Sequence, residues 1–148
     1  MMLMLKEKRL MRYMAKLEHV KKRLQSINKW LPELRKNIDE KTILATLKAY
    51  QETIDNIMDI IAMMCKDNGI PPEDDAYNLK RLAEKMIITI KDAEILNKAD
   101  NLRNKIVREP TKIVEEDVIR EIGEVVEDLP EVIKVIEAWL EKQKQSTK

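Results

Sequence analysis

Glycine is nearly absent from this chain, occurring only at positions 69 and 123, and phenylalanine does not occur at all. So little glycine leaves few places for tight turns. Cysteine occurs once, as Cys65, which excludes an intramolecular disulfide and any cysteine-based zinc site. Cys65 falls in a strongly apolar helical stretch, where a small buried hydrophobe is the plain reading. Histidine also occurs once, so no site needing two imidazoles can form; His19 falls on the polar side of its stretch and reads as a surface residue. No uncharged apolar run approaches the ~18 residues that a membrane span requires, and the opening MMLML is too short for a signal-peptide core. The expectation is a soluble, cytoplasmic protein that needs no membrane, no metal and no cofactor.

What the chain does contain is 44% hydrophobic and 37% charged residues, dominated by Lys, Glu, Leu, Ile and Ala. These are helix formers. Its 148 residues suffice for one domain with a real core. The expected fold is all-α: one domain over residues 1–148, a bundle of about five helices, with a frayed tail over 142–148. The net charge of +1 names no partner, but its distribution is uneven. Residues 1–36 hold eleven Lys/Arg against three Glu, whereas residues 113–141 hold ten Asp/Glu against Arg120 and Lys134. Either these oppositely charged helices attract each other within the fold or across a dimer, or the basic face meets phosphates. Few aromatics interleave with the basic residues, which disfavours base stacking there.

Hydrophobic periodicity divides the chain. Leu10, Tyr13, Leu17, Val20, Leu24, Ile27 and Leu31 form a sustained seam for a first helix over 5–31, closed by Trp30 and Pro32. That seam could also face a second copy, and a homodimer is the default expectation. A second helix over 42–67 has a broad apolar arc, suited to a central position. Asp67-Asn68-Gly69 and Pro71-Pro72 end it. A third helix spans 75–88; Thr89 with Asp92 caps a fourth that ends near Arg108; a fifth starts near 116 and is kinked or restarted at Asp128-Leu129-Pro130.

Helix four carries the anomaly. At about 100° per residue, Arg103 falls about 100° from Leu102, between Ala99 at about 60° and Leu96 at about 120°. A guanidinium on an apolar arc must be paired or hydrated, because a lone buried ion is prohibitive. Asp55 and Asp59, an i,i+4 pair on helix two, are candidate partners. Such a pair could fix helix packing, or Arg103 and Asn104 could line a cleft for a phosphate or a base; both can hold. Arg108, in the last turn, suits the helix dipole as well as a ligand.

The pattern resembles the HepT-like family of the HEPN superfamily, whose signature is R-N-x-x-x-H-x-Y near the end of helix four. LKAYQETIDNIMDIIAMMCKDNGIPP resembles that family's central helix and following turn, and ADNLRNKIVRE resembles the signature. The resemblance implies a toxin-type partner of a minimal nucleotidyltransferase, dimeric, with two motifs in one cleft, ribonuclease activity, and a tyrosine that the partner modifies with AMP. Arg103 and Asn104 stand at the family's arginine and asparagine, but its histidine falls on Arg108 and its tyrosine on Pro110. A guanidinium does not shuttle protons at neutral pH, and proline has no hydroxyl to accept AMP. The expectation is therefore a catalytically impaired member in which Arg103 and Asn104 are motif remnants. Arg103, Asn104 and Arg108 would bind nucleotide or RNA, supported by Asp55 and Asp59. An active ribonuclease and a purely structural helical scaffold are the alternatives.

Overall fold

The computed structural model describes residues 5–146; the first four residues of MMLML and the last two of the tail lie outside the described residues. Five α-helices follow one another: α1 (Glu7–Lys36), α2 (Glu40–Asp67), α3 (Asp75–Glu84), α4 (Ile90–Arg108) and α5 (Glu115–Ser146). A short 3-10 turn, Pro110–Lys112, separates the last two, and no strand occurs among the described residues.

α1 and α2 form an antiparallel pair whose register is marked by ion pairs: Arg9–Asp67 at 2.9 Å, Lys16–Asp59 at 3.2 Å and Arg23–Glu52 at 2.7 Å. Tyr13, Val20 and Ile27 of the α1 seam are fully buried within the chain. These seam residues are thus covered intramolecularly, whereas Leu10 is only partly buried and Met11 and Met14 beside the seam are exposed. The basic first helix and acidic last helix are linked by Lys21–Glu137 at 2.7 Å, whereas three other α1 cations pair with α2. α2 is central, with Tyr50, Ile54, Ile57, Ile61 and Met64 fully buried, although Leu44, at its start, is exposed. α3 bridges α2 and α4, and α5 runs along both α1 and α4.

The helix ends follow local chemistry. Thr89 Oγ1 accepts from the Asp92 amide at 3.0 Å while the Asp92 carboxylate accepts from the Thr89 amide at 3.1 Å, a complete capping box. Gly69 takes φ +75° after α2, and the Ile70 amide returns to the Cys65 carbonyl at 2.8 Å. The other glycine, Gly123, lies inside α5, where an added Cβ would stand 2.9 Å from Arg35 Nη2.

Three boundaries differ from expectation. α1 does not stop at Pro32 but continues to Lys36, because Leu34 still buries its side chain and the carbonyl that lacks a donor, at Asn28, belongs to an exposed residue. α3 ends at Glu84, short of 88, where Met86 enters the left-handed region at φ 58° and the Ile87 amide turns back to the Leu82 carbonyl. α5 is one helix through Pro130 and runs past Lys142 to Ser146, held by the burial of Leu140 and Gln143.

Candidate functional site

The site is built where α2, α3 and α4 meet. Tyr50 of α2 is fully buried and its hydroxyl donates to the Ala99 carbonyl at 2.7 Å, which hooks α4 onto α2 one turn ahead of Arg103. Leu96, Ala99, Leu102 and Ile106 fill the apolar side of α4, whereas Val107 is exposed. This roll leaves Arg103 at the edge of the core with 20% of its side chain exposed.

Its guanidinium is heavily engaged. Nη1 donates to Asp55 Oδ1 at 2.9 Å; Nε and Nη2 donate to Asp100 Oδ1 at 3.1 and 3.0 Å; Nη2 also donates to Asn104 Oδ1 at 2.9 Å. Asp75, the first residue of α3, places Oδ2 3.6 Å from Nη2. Carboxylates from three helices therefore converge on one cation. Burial opposes the Arg103 charge, but the hydrogen bonds and charges of Asp100, then Asp55 and Asp75, outweigh it and raise the guanidinium pKa. Burial, followed by the charge and hydrogen bonding of Asp100, pushes the Asp75 carboxyl up to about 6, with Arg103 pulling the other way.

Of the residues singled out from sequence, Arg103, Asn104 and Asp55 come together. Asp59 does not join them: its Oδ2 accepts from Lys16 Nζ at 3.2 Å on the α1 side of α2. Arg108 is exposed in the last turn of α4, five residues beyond Arg103, and forms no ion pair among the described residues. Pro110 opens the 3-10 turn. His19 is half-buried rather than fully solvated; its Nε2 lies 3.7 Å from a Glu52 carboxylate already bonded to Arg23. Asp75 and Asp100 were missed. Asp100 had a local signal, standing three residues before Arg103 on one helix. Asp75 had none, because only the packing of α3 brings it in.

This fold is similar to that of chains in two solved toxin–antitoxin structures. A crystal structure of a toxin–antitoxin with AMP-PNP is similar over 84% of this chain and 97% of that one, at TM-score 0.75 and 19% identity. A tri-AMPylated HEPN toxin of Shewanella oneidensis in complex with MNT antitoxin is similar over 86% and 97%, at TM-score 0.77 and 20% identity. Residues 14–136 match the family model described as ribonuclease HepT-like, and the chain belongs to that family. A protein of Archaeoglobus fulgidus named "Putative RNase" is 35% identical over 131 residues, covering 88% of this chain and 95% of its own. One of Methanocaldococcus jannaschii, similarly named, is 41% identical over 63 residues, 43% of this chain and 72% of its own. No helix among the described residues is long and apolar enough to cross a membrane.

Proposed function

We propose that this chain is the toxin-type component of a toxin–antitoxin pair, that it binds a minimal nucleotidyltransferase, and that it is catalytically impaired. Nucleotide or RNA phosphates sit at Arg103, Asn104 and Arg108, in a cleft completed by a second copy of the chain. The observation that carries this reading is the seating of Arg103. A cation at the family's arginine position is fixed at a helix junction by three carboxylates, at the edge of the core, rather than waving in solvent. Asn104 gives its carbonyl oxygen to Arg103, which leaves its amide donors for a ligand. Arg108 contributes an exposed cation with no ion pair among the described residues but no proton carrier, and Pro110 offers no acceptor for AMP. The toxin neighbours, which occur with antitoxins, support the partner assignment.

The test is labelled RNA incubated with the purified chain and with Arg103→Ala, with binding and cleavage followed separately. Retention of RNA at low salt, weakened by the substitution and accompanied by little or no cleavage, is the expected result. Rapid cleavage abolished by Arg103→Ala would refute the impairment. Absence of binding even at low salt would leave the helical scaffold as the better reading. Light scattering of the eluted protein checks for the dimer.

A further inference from the structure

A phosphate approaching Arg103 meets an obstacle that the sequence does not reveal. Three carboxylates share one guanidinium, so two negative charges in the cluster are unmatched when all are ionised. Four of the five guanidinium N–H groups are already donated, two of them to Asp100. An incoming anion would add a further negative charge to a half-buried place where like charges repel more strongly than in water.

The three carboxylates are not equivalent. Asp100 is held by two donated bonds and Asp55 by one at 2.9 Å, with 44% of the Asp55 side chain in water. Toward the cation Asp75 has a single 3.6 Å approach, to Nη2, the same nitrogen that serves Asp100. Besides Arg103, the charged groups that act most on Asp75 are negative: Asp100 from α4 and Asp74 from the turn before α3; Asp55 of α2 holds another nitrogen of the same Arg103. Its side chain is 32% exposed, so solvent and ligand can both reach it.

We propose that the Arg103 cluster takes up a phosphodiester anion together with a proton, and that Asp75 is the residue that receives the proton. This rests on reading the cluster as the nucleotide or RNA site. Protonation removes one of the repelling charges and turns the carboxyl into an O–H donor beside Asp100. Binding is therefore strengthened by acid, and one side chain sets the pH at which it weakens. The raised affinity of Asp75 for its proton, caused by burial and by Asp100, accords with this arrangement.

The experiment is calorimetric titration of the full chain with an RNA hexamer lacking terminal phosphates, whose charge is constant over the range used. Measurements in two buffers of different ionisation enthalpy, at low salt and neutral pH, give the protons exchanged. We expect uptake of about one proton and an affinity that weakens about tenfold per pH unit above the Asp75 titration. Asp75→Asn should exchange no proton and bind with an affinity nearly independent of pH. His19→Asn should behave as the unaltered chain. Carboxyl-carbon NMR of the unaltered chain gives a second readout: the Asp75 resonance should move to its protonated position when the hexamer is added. Binding without proton uptake, uptake that persists in Asp75→Asn, or uptake lost in His19→Asn would each overturn the proposal while leaving the site in place. A hexamer that fails to bind at any pH overturns the site itself, and the proposal with it.

Discussion

Replacing Asp75 with asparagine keeps the shape of the side chain and removes its charge, which isolates the electrostatic balance of the cluster from its packing. In the unfolded chain the carboxyl titrates near 3.8, and in the folded chain near 6. Below the lower value both states hold the proton and folding is indifferent to it. Between the two values the unfolded chain releases its proton first, so stability falls as pH rises. Above the higher value the whole penalty is present. A shift of this size corresponds to about 3 kcal/mol at about 1.36 kcal/mol per unit. With a third of the side chain in water, about 1–2 kcal/mol is the expected size. Asp75→Asn should therefore gain about 1–2 kcal/mol relative to the unaltered chain on going from about pH 4 to about pH 8. Urea unfolding followed by circular dichroism at several pH values measures this directly. A difference between the two proteins that stays flat with pH, or that turns against the variant in alkali, would show that attraction to Arg103 outweighs burial and Asp100.

Other substitutions probe the supports of the site. Arg103→Met should destabilise the fold by about 3–5 kcal/mol, because it strands Asp100 and Asp75 without a cation; the loss should be smaller in acid, as seen by thermal melting at two pH values. Tyr50→Phe should cost about 1 kcal/mol, the worth of one buried hydroxyl–carbonyl bond, and should weaken RNA retention if the roll of α4 matters. Gly123→Ala should stabilise α5 by about 0.5–1 kcal/mol, since only the exposed, flexible end of Arg35 stands in the way; urea midpoints decide it. The Cys65 thiol is buried and pushed up to about 11, mainly by burial, so its reaction with a disulfide reagent should be slow in the native protein and fast in denaturant.

Periodic seams were the most legible part of the sequence. The spacing of Tyr13, Val20 and Ile27 in α1, and the Thr89–Asp92 capping pair, translate directly into structure because they depend on neighbours within one or two turns. Pro32 was over-read as a helix end: it lies inside α1, since flanking residues that bury well outweigh one missing donor. Pro130 likewise lies inside α5, so of the two expectations there the restart does not occur. At the site, the misfit of Arg103 in an apolar arc was legible, and so was Asp55 as a partner. The choice between Asp55 and Asp59 was not, because it depends on which side of α2 faces α1. Asp75 was beyond reach for a similar reason: no local rule says that the first turn of α3 will lie against α4.

Pro130 has a mechanical consequence for the longest helix. Its missing donor leaves the carbonyl of buried Val126 without the usual bond midway along α5. Before that point the rod braces the end of α1 and the flank of α4; after it, the start of α1, through Glu137 and Leu140. One strut thus carries two loads across a softened joint, and the halves can loosen one at a time. Native-state hydrogen exchange should resolve them as two opening units, with the break at the proline.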